Sequence, residues 1–120
     1  VDNNILKLDS AFDATVRRMN NPAGDYSVAR TVELMKRFEG RMILQTMFLA
    51  GEIEGEPIDN TAEREVEAWL RLVEEIRPSK VMVYSLDRDT PCPTLEKVTK
   101  EELQAIAARV EALGIPCSVA

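Results

Sequence analysis

Short apolar runs alternate with amphipathic stretches along the whole chain. The apolar runs lie at residues 5–9, 41–48, 81–86 and 115–119. Apolar residues at helical spacing fill residues 25–38, the stretches that begin at Thr61 and Lys100, and a shorter segment at residues 13–19. The short runs predict β-strands and the periodic stretches predict helices. A strand and a helix repeated three times before a fourth strand predict right-handed βαβ units and a parallel sheet.

Two of the predicted helices begin with a capping pattern. Asn60 stands three residues before Glu63, and Thr99 stands three residues before Glu102. At this spacing the first side chain can accept a hydrogen bond from a free backbone N–H of the helix, and the Glu can bond back. The sequence therefore predicts that Asn60 and Thr99 cap the second-last and last helices.

The second predicted strand, RMILQTMFL, carries Gln45 and Thr46 in its middle. In a doubly wound sheet both faces are covered, so the strands read as continuous apolar runs. Because side chains alternate between faces, Gln45 lies opposite Thr46, and Lys7 shares a face with Asp9. One polar face predicts an α/β fold in which parallel βα repeats form part of a TIM-like, partial β/α barrel. Ligands of such barrels bind at the carboxyl ends of the strands.

The third predicted strand, VMVYSLDR, ends in a cluster of polar residues. The alternation of side chains predicts Ser85 on the same polar face as Lys7 and Gln45, and Tyr84 on the opposite face. Arg88 follows the strand, where its planar guanidinium can bind a carboxylate or a phosphate. A network of caps and salt bridges is the alternative interpretation of this cluster.

Two interpretations also stay open for the polar residues of the first two strands. Lys7 and Asp9 can hold an anion beside a carboxylate that accepts from a hydroxyl group, or they can form a half-buried ion pair. Gln45 and Thr46 can contact a ligand or satisfy backbone groups of a nearby loop. The sequence assigns no catalytic residue and no metal site.

Composition and charge limit the class of protein. The 120 residues, 45% hydrophobic and 30% charged, are typical of one soluble globular domain. A formal net charge of −6 argues against a nucleic-acid surface, and no apolar run approaches the ~18 residues of a membrane span. The chain has no histidine and two cysteines, Cys92 and Cys117, too few for a Cys-rich metal site. With no signal-peptide pattern, these features predict a reduced, cytoplasmic protein that binds neither nucleic acid nor membrane.

Four segments resemble the radical S-adenosylmethionine (SAM) superfamily of iron–sulfur oxidoreductases. They are ILKLDS, MILQTMFLAGEIEGEPIDNT, VMVYSLDRDTPCP and VTKEELQAIAARVEALGIPC. The resemblance extends in order from Asn4 to Val119. It implies a partial barrel with SAM and a 4Fe–4S cluster at its strand ends, in which reductive cleavage of SAM starts radical chemistry. The substrate, a small molecule or a protein, stays unassigned because the superfamily acts on very different molecules.

The resemblance also implies roles for individual residues. In this superfamily, polar positions of the first two matching strands contact the cofactor, which here points to Lys7, Asp9, Gln45 and Thr46. Groups at the end of the next strand face the cofactor or the substrate, which here points to Tyr84, Ser85 and Arg88.

The superfamily's cluster-binding Cys-x-x-x-Cys-x-x-Cys run and its Gly-Gly-Glu stretch do not occur in the sequence, and Cys92 and Cys117 do not replace them. We therefore expect residues 1–120 to be a single domain, the C-terminal part of a radical SAM barrel, whose partner is the missing N-terminal half. Such a fragment should hold no cofactor, be inactive alone and leave a sheet edge at which it can dimerise. The alternative is a self-contained α/β domain that binds a small anion or a protein without catalysis.

Overall fold

A computed structural model of the protein describes residues 4–20, 27–53, 55–85 and 95–120. The elements are β1 (Asn4–Lys7), α1 (Asp13–Asn20), α2 (Val28–Lys36), β2 (Met42–Ile53), β3 (Glu56–Asp59), α3 (Glu63–Ile76), β4 (Lys80–Ser85), β5 (Leu95–Lys97), α4 (Lys100–Glu111) and β6 (Cys117–Val119). The four predicted strands correspond to β1, β2, β4 and β6, and the four predicted helices to α1 through α4. The order of strands and helices was therefore predicted correctly, while β3 and β5 were not predicted.

The four predicted strands form one parallel sheet in the spatial order β1, β2, β4, β6. This spatial order is also the order along the chain, so each crossover moves one strand further in the same direction. Right-handed crossovers in one direction place the helices on one face of the sheet, and α3 contacts both α2 and α4 there. A doubly wound sheet would reverse its strand order. The arrangement confirms the predicted α/β fold, with parallel βα repeats as in part of a β/α barrel.

The core lies between the sheet and its helices. Every second residue of β2 from Met42 to Phe48 is buried against the helices, as are Val81 and Val83 of β4. Trp69 of α3 packs edge-to-face on Phe48, with ring centroids 5.3 Å apart. The other face of the sheet, called the open face below, carries Ile5, Lys7, Ile43, Gln45, Met47, Met82, Tyr84 and Ser118. Most of these side chains are half-buried, and Ile5 is 54% exposed. No helix in the described part of the chain is long and apolar enough to cross a membrane.

Beyond the parallel sheet, β2 continues into an antiparallel arrangement that the sequence did not predict. Residues 50–53 pair with β3 in a hairpin, and residues 49–51 pair with β5 on the other side. The hairpin turn contains Gly55 at φ +80°, a conformation that favours glycine. The stretch GEIEGEP gives no signal of a strand, because two glycines, a proline and three acids obscure the alternation of apolar and polar residues.

One of the two predicted helix caps is confirmed and the other is wrong. Thr99 Oγ1 accepts a hydrogen bond from Glu102 N at 3.2 Å and caps α4. Helix α3 instead begins after Ala62, which makes no side-chain cap. Asn60 lies two residues too early, and its amide binds backbone groups of the sheet. An asparagine can cap a helix or bind backbone groups of a sheet, so its spacing along the chain did not show which of these two roles Asn60 has.

Candidate functional site

The open face brings polar side chains together at the carboxyl ends of β1 and β4 and at the middle of the parallel part of β2. In the strand register Lys7 lies beside Gln45, and Gln45 lies beside Met82. Two residues further along the strands, Tyr84 lies beside Met47. Carboxyl ends of parallel strands are where ligands bind in β/α barrels. We define the candidate site as Lys7, Asp9, Gln45 and Tyr84.

Lys7 is the accessible charged group of this site. Its Nζ lies 3.3 Å from Asp9 Oδ2; the side chain of Lys7 is 43% exposed, whereas that of Asp9 is fully buried. Burial lowers the pKa of Lys7, but the Asp9 carboxylate and the Tyr84 side chain together outweigh it, so the pKa lies above the ordinary 10.5. Lys7 therefore remains a cation at physiological pH, with part of its side chain open to a ligand.

Asp9 is held by backbone groups as well as by Lys7. Its Oδ1 accepts from Met47 N at 2.9 Å, and its main-chain oxygen accepts from Asn60 Nδ2 at 2.9 Å. One carboxylate oxygen thus continues the hydrogen bonding of β2 beyond the last residue of β1, and the other faces Lys7. The predicted ion pair exists, and because its cation remains accessible, the binding of an anion by this pair stays a prediction. Asp9 is suited to orient Lys7 rather than to contact a ligand directly.

The sheet separates Thr46 from Gln45. Thr46 is fully buried on the helix-covered face, where its Oγ1 donates to Leu8 O at 2.7 Å and accepts from Trp69 Nε1 at 3.0 Å. Gln45 is half-buried on the open face, in register with Lys7. Only Gln45 of these two predicted cofactor contacts lies at the candidate site.

The predicted faces of Tyr84 and Ser85 are interchanged in the structure. Tyr84 lies on the open face near Lys7, whereas Ser85 lies beside Phe48 on the covered face. Ser85 Oγ donates to Phe48 O at 2.7 Å and accepts from Val98 N at 2.8 Å. Because VMVY is apolar throughout, the strand itself does not show which alternate residues are buried. Arg88, the remaining predicted site residue, lies outside the described residues.

Two buried polar residues near the site were missed as site-forming groups. Asn60 is 1% exposed and hydrogen-bonds Asp9, in the chain after β1, and Leu49, in the middle of β2. Glu65 is 7% exposed and accepts from Ser10 Oγ at 2.6 Å and from Thr15 Oγ1 at 2.7 Å. These partners are about 10 to 55 positions away in the chain, so no local pattern marks them. In the sequence, the feature that could have indicated a structural role for Asn60 is its position as a polar residue directly after the β2–β3 hairpin.

A 4Fe–4S cluster does not fit the described residues. Among them, no group of three or more His, Cys, Asp or Glu side chains could hold a metal ion. Burial, with a smaller contribution from the nearby Glu111, raises the pKa of the Cys117 thiol to about 11, which disfavours the thiolate that binds iron. Cys92 lies outside the described part of the chain.

The donor set of the open face does fit SAM. This molecule carries a carboxylate, an amine and ribose hydroxyl groups. An accessible ammonium at Lys7, an amide at Gln45 and a phenol at Tyr84 complement such groups chemically. This fit applies to the binding of SAM alone, since none of these three residues would bind the 4Fe–4S cluster.

The fold resembles two solved structures, while no protein-family model and no curated protein matches the sequence. One is a radical SAM methyltransferase from Sphaerobacter thermophilus, with a TM-score of 0.70 and 17% identity over 97% of this chain and 33% of that one. The other is a domain of pyruvate-formate lyase-activating enzyme from Bacteroides vulgatus ATCC 8482, with a TM-score of 0.73 and 8% identity over 99% of this chain and 67% of that one. The chain thus spans a third of the methyltransferase. The fold expected from the sequence is confirmed: this chain has the parallel βα architecture of part of a β/α barrel, which it shares with a radical SAM methyltransferase.

Proposed function

We propose that the chain is part of the catalytic barrel of a radical SAM enzyme and that its open face contacts SAM. The position of Lys7 carries the proposal. It is a charged, accessible group at the carboxyl end of a parallel strand, in a fold shared with a radical SAM methyltransferase. SAM, when bound, supplies on reduction the radical that starts the reaction.

The open-face residues have distinct roles in this proposal. Lys7 pairs with the carboxylate of SAM by charge, and its own pairing with Asp9 fixes its direction. Gln45 and Tyr84 offer hydrogen bonds to the hydroxyl and amino groups of the same ligand. Thr46 and Ser85 support the site from the covered face of the sheet, because their hydroxyls bind backbone oxygens there.

The cluster-binding residues belong, in this proposal, to an N-terminal barrel half that extends the sheet from β1. Among the described residues β1 pairs with β2 alone, and an unpaired edge accepts a further strand. Residues 1–120 alone would then hold no cofactor and would not react, whereas the complete barrel would be the enzyme.

Backbone amide exchange in the full-length protein tests the added strand. Leu8 N donates to Gln45 O at 3.0 Å, so by alternation the N–H groups of Ile5 and Lys7 point away from β2. A neighbouring strand would protect them, and we expect slow exchange at both positions in the full-length protein and fast exchange in residues 1–120. Fast exchange in both would refute the added strand, and protection that grows with the concentration of residues 1–120 would indicate edge-to-edge dimers.

Calorimetric titration with S-adenosylhomocysteine tests the ligand. We expect binding to the full-length protein, weakened about tenfold by Lys7→Met, because one charge-assisted contact is lost. Gln45→Leu should weaken binding less, and Lys36→Met, which removes an ion-paired lysine of similar exposure on α2, serves as the matched control. No binding by the unaltered protein would refute the proposal. Binding that Lys7→Met leaves unchanged would remove Lys7 from the site, and inorganic phosphate binding without S-adenosylhomocysteine binding would favour the anion-binding alternative.

A further inference from the structure

We propose that Asn60 is a positioning residue that holds Asp9, and through it Lys7, in the geometry that binds the ligand. The meaning of this role for ligand binding rests on the proposed function. The contacts that support this role do not depend on the proposed function, since they are hydrogen bonds within the protein.

The Asn60 amide bonds three backbone groups at once. Its Oδ1 accepts from Leu49 N at 2.8 Å, and its Nδ2 donates to Met47 O at 2.8 Å and to Asp9 O at 2.9 Å. The residue is 1% exposed. A buried amide with its donors and acceptor engaged is rigid, because any rotation leaves a polar group without a partner.

The place where Asn60 acts is a discontinuity of the sheet. β1 ends at Lys7, and β2 passes from its parallel pairing with β1 and β4 into its antiparallel pairing with β3 and β5. At such a change of partner some backbone groups lose their regular hydrogen bonds. The Asn60 amide supplies those bonds and joins the chain after β1 to the middle of β2.

The position of the Asp9 carboxylate depends on this joint. Asn60 fixes the main-chain oxygen of Asp9. The backbone N–H of Met47 fixes Asp9 Oδ1, and the carbonyl oxygen of Met47 in turn accepts from Asn60. With these two atoms held, Oδ2 is directed to Lys7 Nζ at 3.3 Å. Removing the amide donor therefore frees the main-chain oxygen of Asp9 and the carbonyl of Met47, the residue whose N–H holds Asp9 Oδ1, so the direction in which Asp9 faces Lys7 is less fixed.

A double-mutant cycle tests this chain of contacts. Asn60→Ser removes the amide without adding charge, and Lys7→Met removes the final group. We expect each to weaken S-adenosylhomocysteine binding to the full-length protein about tenfold, and the double variant to bind no more weakly than Lys7→Met alone. Fully additive effects would overturn the inference, because Asn60 would then act independently of Lys7. Ser79→Ala is the control: it removes a hydroxyl that donates to Met42 O at 2.9 Å, at the opposite end of β2, and should leave affinity within about twofold.

A second measurement needs no ligand. Lys7 and Lys36 have similar side-chain exposure, 43% and 39%, and both are ion-paired, so their rates of acetylation by acetic anhydride can be compared by mass spectrometry. We expect Asn60→Ser to raise the rate at Lys7 relative to Lys36 about threefold or more, because a released amine deprotonates more readily. An unchanged ratio in a folded variant would overturn the inference. If Asn60→Ser does not fold, Asn60→Thr, which also lacks the amide, adds no charge and fills more of the buried volume, replaces it in the same comparison.

The two measurements separate the proposals. Absence of ligand binding by the unaltered protein refutes the proposed function, and the acetylation ratio still decides the role of Asn60. Ligand binding that depends on Lys7, together with no effect of Asn60→Ser on affinity or acetylation, refutes the role of Asn60 alone.

Discussion

The indole of Trp69 donates to the hydroxyl of Thr46 across the core, with Nε1 3.0 Å from Oγ1. The same hydroxyl donates to Leu8 O at 2.7 Å. One buried group thus connects helix α3, strand β2 and the chain after β1. This explains a polar residue on the covered face of a core strand, since the hydroxyl satisfies a donor and an acceptor that would otherwise lack partners.

Thr46→Val should therefore cost more stability than Thr46→Ser. Valine keeps the shape but leaves the Trp69 N–H and the Leu8 carbonyl unsatisfied, which we expect to lower the free energy of unfolding by about 2–3 kcal/mol. Serine keeps the hydroxyl and loses one methyl group, at about 1 kcal/mol. Urea unfolding of both variants measures the difference. Equal stability of the valine variant and the unaltered protein would contradict the structural role.

Glu65 should stabilise the protein through its two hydroxyl partners. Glu65→Ala removes the acceptor of Ser10 and of Thr15 together, and we expect a fall of about 2–3 kcal/mol in the free energy of unfolding. Glu65→Gln keeps the volume and one acceptor, so its fall should be smaller. Chemical denaturation at neutral pH compares them, and an alanine variant no less stable than the glutamine variant would refute this expectation.

Arg18 should restrain the β2–β3 hairpin with little effect on global stability. Its Nη1 donates to Pro57 O at 2.7 Å and its Nη2 to Glu56 O at 2.8 Å. Because these contacts are exposed, Arg18→Ala should change the free energy of unfolding by less than about 1 kcal/mol. Amide exchange at Ile58 should nevertheless become about three- to tenfold faster, as local opening is eased.

Arg30→Ala, on an exposed position of α2, is the control for the Arg18 experiment. It removes the same charge at a distance from the hairpin, so exchange at Ile58 should not change. A similar acceleration in both variants would indicate an effect of net charge instead of a contact with the hairpin.

Cys117 should react slowly with thiol reagents. Burial, and then the nearby Glu111, raise its pKa from 9.0 to about 11, so at pH 8 the thiolate fraction should be about 100-fold below that of an ordinary cysteine. Alkylation with iodoacetamide in a Cys92→Ser background measures this single thiol. Its rate should rise with pH towards about 11, and a rate that levels off near pH 9 would contradict the shift.

The same shift sets a pH window for stability. Below about pH 9 the thiol is protonated in both the folded and the unfolded state and contributes nothing to the pH dependence. Between about pH 9 and 11 the unfolded state releases its proton first, so stability should fall as the pH rises. Cys117→Ser should remove this component of the decline in a thermal unfolding series, and an identical decline in both proteins would refute it.

The strand and helix order was predictable because it depends on local periodicity. Helix α3 shows this most clearly: Val66, Trp69, Val73 and Ile76 recur at helical spacing and are buried against the sheet. The parallel sheet followed from helices between the strands. The polar open face was also predictable in part, since Lys7 and Gln45 stand at alternate positions of their strands and prove to be in register.

The errors arose where local pattern does not choose between alternatives. In β4 the apolar run VMVY fits either phase, and the pairing of Phe48 with Ser85 decided that Tyr84 faces the open side. Strand β5 pairs with a part of β2 more than forty positions earlier, and such non-local pairing has no signal in its own three residues.

By itself, the sequence determined which segments form the four helices and the four parallel strands, and that one face of the parallel sheet carries polar side chains. Periodicity and alternation are properties of neighbouring residues, so they are present before the chain folds. Only the tertiary structure decided that Thr46 belongs to the core, that Tyr84 joins Lys7, and that Asn60 binds the sheet instead of capping α3. These outcomes depend on which distant group satisfies each buried donor or acceptor, and that choice exists only when the strands and helices have packed together.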